Sequence, residues 1–318
     1  MKHRKVCMLG GSGFVGRHIA ARLASHDVDV RVITRFPHRA QHLTVLPNVE
    51  LVSGNCHDPD TLRRHFQGCD AVINLVGILN ENRRQSFRQV HVELVRKVLD
   101  ACTQTGVRRL IHQSALNADA GGPSEYLRTR GEAEGLIQVH QDRGLATTIF
   151  QPSTIFGSGD SFTLRFAGLL KLMPGIFPLA CPDSKMAPVF VGDVAEAHVR
   201  ALDDRRTFGK RYQLCGPDVM SLQEIVRYLA RVQGTRRWVL GLGPRLSKLQ
   251  GIMMQMVPGK PFSVDNFNSL QKDAVCSSNG LAELGIQAQG MDAIVPTYLG
   301  EHTIHHRYDD YRRLAGRE

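Results

Sequence analysis

No apolar run in this sequence approaches the roughly 20 residues that a membrane-spanning helix needs. No C-x-x-C pair occurs among its seven cysteines, at 7, 56, 69, 102, 181, 215 and 276. Their odd number and wide dispersal argue for reduced thiols in a cytosol-like compartment and against a structural zinc site. Aromatic residues make up 6% with a single tryptophan, and no basic helix is interleaved with them. A nucleic-acid partner is therefore not expected. Internal repeats and low-complexity segments are missing, which excludes a solenoid and gives no sign of a separate linker domain. The start, MKHRKVCMLG, enters a strand too quickly for a signal peptide, so a cytoplasmic protein is expected.

What is present is ordinary globular composition: 318 residues, 42% hydrophobic and 22% charged. That length suits one large domain or two intimate ones. The net charge of +10 comes mainly from scattered doublets such as Arg63-Arg64 and Arg236-Arg237. Such doublets read as solvated helix faces together with a site for an anionic ligand.

The first half alternates short apolar strands with helical periods. KVCMLG, VDVRVITR, VELVSGN, DAVINLVG, RLIHQSAL and ATTIFQPSTIFG read as strands. FVGRHIAARLASH, RAQHLTVL, PDTLRRHFQG, RQVHVELVRKVLDACTQTG and the stretch from Tyr126 read as helices. This alternation predicts a parallel α/β sheet covered on both faces, with ligands beyond the carboxyl ends of its strands. Residues 1–157 form this domain, and 186–218 (APVFVGDVAEAHVRAL, then KRYQLCGP) return to the sheet. The rest of 158–318 reads as a smaller, mainly helical lid or substrate subdomain, beginning with a helix and a Pro-rich loop in SFTLRFAGLLKLMPGIFPLA.

Gly10, Gly13 and Gly16 fall between the first strand and first helix. In that context each has a role: Gly10 permits a tight turn, Gly13 lets backbone approach a pyrophosphate, and Gly16 allows close helix–strand packing. The helix start at Phe14 and Val15 offers unpaired N–H groups to phosphates. Arg35 ends the second strand nineteen residues past Gly16 (35 minus 16), and Arg39 follows a turn later. An acidic residue there would suit NAD, whereas guanidinium groups suit the 2′-phosphate of NADP. NADP is the expected cofactor, with NAD the alternative. Asn55 and Cys56 follow the third strand, where an adenine would lie. Val76 and Gly77 follow the fourth, beside the nicotinamide ribose.

Two further features bear on chemistry. Tyr126 and Arg130 stand four apart and so share a helix face. Arginine keeps a positive charge that lowers a tyrosine pKa from about 10, but it cannot act as a proton relay. His91 heads a helix with an apolar opposite face and reads as packed or capping rather than catalytic. His305-His306 near the end has no carboxylate or cysteine frame, so no metal is expected. In residues 243–262, Leu246, Leu249, Ile252, Met253, Met256 and Val257 form one helical stripe. Packing of the small subdomain is its first reading, ahead of a lid over a hydrophobic ligand or a protein-docking face, with a peripheral membrane contact last.

Taken in order, Gly10-x-x-Gly13-x-x-Gly16, INLVGIL, QSAL, Tyr-x-x-x-basic, PVFVGDVAEA and YQLCGP resemble the atypical extended short-chain dehydrogenase/reductases. The branch it is most similar to holds the accessory NAD(P)H-binding subunit of mitochondrial complex I and bacterial proteins described as nucleoside-diphosphate-sugar epimerases. The resemblance implies a Rossmann-type doubly wound parallel sheet. It implies Ser114 as substrate-carbonyl donor, Tyr126 as proton donor or acceptor, and Gln151-Pro152-Ser153 as the segment approaching the nicotinamide. Arg130 stands where the family has lysine, and His91 where typical members have asparagine. The expected function is an NADP(H)-dependent oxidoreductase or epimerase-like reaction on a small carbonyl or sugar nucleotide, by a monomer or homodimer. The alternative is a non-catalytic NADPH-binding protein serving assembly or redox sensing.

Overall fold

Short apolar runs become strands here because both of their faces are covered. The computed structural model describes residues 4–82, 84–141, 144–173, 175–257 and 260–300. Strands β1 (Lys5–Leu9), β2 (Asp29–Thr34), β3 (Val49–Ser53), β4 (Ala71–Asn74), β5 (Arg109–Gln113), β6 (Ala146–Pro152) and β11 (Lys210–Leu214) form one sheet. Its order is β11-β6-β5-β4-β1-β2-β3, and every pairing is parallel. The chain winds outward from β1 to β3, then restarts at β4 on the other side of β1. This reversal opens a crevice at the carboxyl ends of the strands.

Helices α1 (Phe14–Ala24) and α6 (Val191–Asp203) pack together, while α2 (Pro59–Phe66), α3 (Leu94–Thr105) and α4 (Glu125–Gln141) are successive neighbours. The apolar stripes of these last three bury Leu62, Phe66, Val95, Val98, Ala133 and Ile137 against Leu9, Val72, Leu110 and Ile149 of the sheet. Asp58 caps α2 by accepting from the N–H groups of Asp60 and Thr61.

Residues up to Pro152, with Val191–Cys215 and Cys276–Gln287, form one compact unit. The second comprises Ser153–Phe190, Gly216–Val275 and the described residues from Ala288 on. It contains α5 (Thr163–Leu172) and three two-stranded sheets: β7 (Ile155–Phe156) with β10 (Val189–Phe190), β8 (Ile176–Leu179) with β13 (Trp238–Gly241), and β9 (Lys185–Met186) with β12 (Met220–Ser221). Helices α7 (Leu222–Val232), α8 (Pro244–Met254) and α9 (Val264–Ser269) belong to it, as do the short turns of helix Met291–Ile294 and Pro296–Leu299. Its own core includes Phe156, Leu170, Phe177, Ile225, Leu229 and Val239.

Several sequence expectations change. RAQHLTVL is not a helix but two single 3₁₀ turns, Pro37–Arg39 and Gln41–Leu43, in which Leu43 alone is buried; that apolar surface is too small to hold a longer helix. The expected loop at 176–179 is strand β8, whose partner β13 lies far along the chain. Of residues 186–218, only 210–214 enters the central sheet, and 189–190 pairs with β7 instead. The expectation of seven reduced thiols fails at one pair. Cys215 and Cys276 form a disulfide, because the fold brings Cα atoms 61 residues apart in sequence to 6.0 Å. Cysteine count and spacing carry no trace of that approach. Among the described residues no helix is long and apolar enough to cross a membrane, and no group of three metal-ligating side chains occurs. His305-His306 lies outside the described residues.

Candidate functional site

The turn from β1 into α1 is built on backbone. Gly10 adopts φ +76°, a conformation that favours glycine, and its carbonyl accepts from Gly13 N at 3.0 Å. A Cβ on Gly16 would collide with Gly10 O and Gly11 Cα, so the helix packs on the turn only without a side chain there. Gly13 differs. A Cβ there would press on Gly10 O alone, at 3.2 Å, a tighter fit than most Cβ contacts but far looser than at Gly16. It caps α1 with no side-chain hydrogen bond and no acidic residue in the first turn, leaving the N–H groups at Phe14 and Val15 as an anion cradle.

Beside the turn lies a cleft of about 260 Å³ lined by Gly10, Arg35, Arg39, Cys56 and Val76, among others. Both guanidinium groups lie by the Phe36 ring, with Cζ atoms 5.9 Å (Arg35) and 4.9 Å (Arg39) from its centroid. Neither pairs with a carboxylate among the described residues. Burial raises the Cys56 pKa, and the charge of Arg35 works against that rise. Asn55 does not line the cleft: its Oδ1 accepts from His57 N at 3.1 Å and shapes the turn. The sequence reading missed Ser12, Gly54, His57 and Gln85 on the cleft wall. Gly54 and His57 had a signal, since they flank Asn55-Cys56 after a strand. Gln85 sits on a loop with none.

A second cluster forms where α4 meets the ends of β4 and β5. Arg130 is 6% exposed; its Nη1 donates to Gln113 O at 2.9 Å, and its Nε finds no partner. A Cβ on Gly77 would collide with Nη2, so that glycine makes room for the guanidinium. Arg130 Cζ lies 5.5 Å from the centroid of the Tyr126 ring, which also meets the rings of Phe87 and His91 edge-on. His91 is buried and committed. Its Nδ1 lies 3.0 Å from Thr129 Oγ1, which donates to Glu125 O, and its Nε2 accepts from Ile78 N at 3.3 Å. Burial, with the Arg130 charge, pushes its pKa down to about 2, so it is neutral and packed. It belongs to a π-helical stretch, Arg88–Glu93, that leads into α3.

Ser114, just past β5, is buried, and its Oγ makes no hydrogen bond of normal geometry. It lies beside Glu134, whose carboxylate accepts from Gln151 Nε2 at 2.9 Å on both oxygens and from Arg211 Nη1 at 3.4 Å. Burial raises the Glu134 pKa, and the Ser114, Gln151 and Arg211 contacts oppose that rise. Sequence reading missed Glu134, although it stands eight after Tyr126 and four after Arg130 on the same helix face. The Gln151 amide is thus engaged with a carboxylate. Ser153 belongs to the second unit, where its Oγ donates to Ala274 O at 2.8 Å.

A glycine turn on a helix start and two arginines without carboxylate partners among the described residues together fit a phosphate-rich dinucleotide. An NAD(P)H-binding family model matches residues 10–164, and a 3-beta hydroxysteroid dehydrogenase/isomerase family model matches 122–217. The Arabidopsis thaliana mitochondrial NADH dehydrogenase [ubiquinone] 1 alpha subcomplex subunit 9 is 30% identical over 297 residues, covering 86% of this chain and 71% of that protein. A Streptomyces griseus (4-alkanoyl-5-oxo-2,5-dihydrofuran-3-yl)methyl phosphate reductase is 30% identical over 232 residues, 72% of this chain and 74% of that one. The Escherichia coli NADPH-dependent quinone oxidoreductase, solved with NADPH, shares the fold at TM-score 0.72 and 19% identity, over 91% of this chain and 97% of its own. With glycine turn, doubly wound sheet and these relatives in agreement, the chain belongs to the atypical extended short-chain dehydrogenase/reductases, an NAD(P)-binding family that includes the alpha subcomplex subunit 9 of mitochondrial NADH dehydrogenase.

Proposed function

We propose that the protein binds NADP(H) in the cleft beside the glycine turn and acts as an oxidoreductase or epimerase-like catalyst on a small carbonyl or sugar-nucleotide substrate. The carrying observation is the pair Arg35 and Arg39, two guanidinium groups on one cleft with no carboxylate partner among the described residues. Bound NADPH would supply hydride at its nicotinamide C4. In this reading Gly10, Gly13, Phe14, Val15 and Gly16 hold the pyrophosphate through backbone, and Arg35 and Arg39 grip the 2′-phosphate. Asn55 and Cys56 shape the adenine end, Val76, Gly77 and Arg130 border the ribose, and the 151–153 segment, with Gln151 and Ser153, borders the nicotinamide. Tyr126 moves the proton at the substrate oxygen, and Ser114 orients that oxygen. Arg130 contributes charge and contacts but never releases its proton.

A second reading, a non-catalytic NADPH-binding protein in assembly or redox sensing, is favoured by one observation. Arg130 is tied to Gln113 O and set against the Tyr126 ring, at the position where the family resemblance implies lysine. One set of measurements separates the readings. NADPH should bind at least about tenfold more tightly than NADH, a preference that Arg35→Asp removes. NADPH oxidation against a carbonyl panel should be slow, vanish in Tyr126→Phe and rise in Arg130→Lys. Equal cofactor affinities would overturn the NADP assignment, and turnover indifferent to Tyr126 would leave the second reading. The reading also takes the protein as cytoplasmic and a monomer or homodimer, which fractionation and light scattering check. Residues 243–262 serve in it as a contact face.

A further inference from the structure

Helix α8 is amphipathic with its faces reversed relative to a core helix. Its buried positions are the small residues Ser247 and Gly251, four apart. Ser247 Oγ donates to Leu242 O and accepts from Cys181 N, and a Cβ on Gly251 would lie 3.2 Å from Ser263 O. The expected packing stripe faces outward instead: Leu246, Leu249, Ile252 and Met253 are exposed, and Met256 beyond the helix end is 83% exposed. Gln250 Nε2 donates to Pro178 O and stitches the helix to β8. The β8–β13 pair adds an apolar outer face of its own, with Ile176 and Trp238 as register partners and Trp238 77% exposed. Exposed apolar groups on this scale mark a contact surface.

Charge indicates what the surface meets. Between Glu224 and Asp265 the chain carries no carboxylate and seven basic residues, among them Arg236, Arg245 and Lys248. Arg245 and Lys248 sit on α8 itself, exposed beside the Leu/Met stripe. A protein partner would need its own acidic, apolar counter-shape. An anionic bilayer offers both properties at once, a negative headgroup layer over hydrocarbon, and flexible methionine and apolar leucine side chains with an amphipathic tryptophan suit that boundary. We infer that the second unit binds peripherally to anionic lipid surfaces, with the Leu/Met stripe of α8 and Trp238 at the acyl boundary and Arg245 and Lys248 on the headgroups.

The chain's single tryptophan is a built-in reporter. The full chain is sedimented with phosphatidylcholine vesicles with and without phosphatidylglycerol, at low and high salt, while tryptophan emission is followed. Expected are binding to the anionic vesicles alone, release by salt and a blue shift of emission. Lys248→Ala should lower partitioning about fivefold, and Met253→Asp should abolish it; both side chains are exposed, so circular dichroism should be unchanged. Absence of binding to anionic vesicles at low salt overturns the inference, as does equal binding to neutral vesicles or indifference to both substitutions. Light scattering supplies the last arm. A dimer that Met253→Asp splits, in protein that ignores vesicles, would assign the face to a second copy of the chain instead.

Discussion

Among the described residues of the first unit two arginines are buried, near opposite ends of strand β5, and the protein treats them differently. Arg109 opens β5. Its guanidinium donates to the carbonyls of Ala201, Leu202 and Ala146 and to the hydroxyls of Thr148 and Thr207, and its Cζ lies 4.5 Å from the Phe208 ring centroid. Two of those carbonyls end α6, where a helix is partially negative. Burial lowers its pKa to about 9, which still leaves it charged at neutral pH. Arg130 lies near the other end of β5, with one bond to Gln113 O and an Nε that nothing satisfies. A buried charge that the fold satisfies fully is scaffold. One left partly unsatisfied keeps a donor open, and the proposed function assigns that donor to the cofactor.

The largest expected effect tests the scaffold half. Arg109→Met leaves carbonyls of two segments and two threonine hydroxyls without their donor, and should cost about 3–5 kcal/mol of stability. Urea denaturation measures it, and a loss below about 1 kcal/mol would remove the contrast. Next in size is Gly13→Val, at the site end. A side chain there presses on Gly10 O, 3.2 Å from its Cβ, and in the proposed reading fills the space of the pyrophosphate, so cofactor affinity should fall at least about a hundredfold, with a smaller loss of stability. Calorimetric titration with circular dichroism checks both. Binding retained in a folded variant would place the dinucleotide elsewhere.

The contrast also explains what could be read from the sequence. The glycine turn and the arginines after β2 were legible because backbone conformation and charge are properties of single residues at fixed spacing. The central sheet was legible through its two-sided burial, which leaves continuous apolar runs. Partners distant in sequence were not legible. Nothing in the sequence marks Arg109, at the head of RLIHQSAL, as a fully bonded buried charge, since its acceptors lie 37 to 98 residues away. The same distance hid the Cys215–Cys276 bond, the β8–β13 pair and the Glu134–Arg211 contact. The stripe on α8 was seen but assigned to packing, because periodicity gives the face of a helix and not the side that faces inward.

A smaller effect probes the buried histidine beside Tyr126 and Arg130. His91 stays neutral in the fold, with its pKa near 2 against an ordinary 6.5. The unfolded chain therefore takes up the proton first. The stability associated with the neutral ring is complete above about pH 6.5 and is lost as pH falls toward the folded value. The slope should be about 1.4 kcal/mol per pH unit. His112, pushed down to about 3, and His198, to about 4, act in the same direction. His91→Asn should remove one histidine's share of this slope between pH 6.5 and 5, measured by denaturation across that range. An unchanged slope would mean that the ring is charged, or solvated, in the fold.

The smallest expected effect is on stability in Arg130→Met. Replacing a poorly paired buried charge by an apolar chain of similar reach is often neutral, so the change should stay within about 1 kcal/mol. NADPH affinity should fall about tenfold, by loss of one charge-assisted contact. The variant should also let His91 and His112 protonate at higher pH, because the Arg130 charge depresses both. Stability and affinity therefore move oppositely in the two arginine variants: Arg109→Met loosens the fold with little direct effect on the cofactor, and Arg130→Met spares the fold and weakens the cofactor. A stability loss in Arg130→Met as large as that in Arg109→Met would show that Arg130 too is scaffold, and that its bond to Gln113 O, not a ligand, is what holds it there.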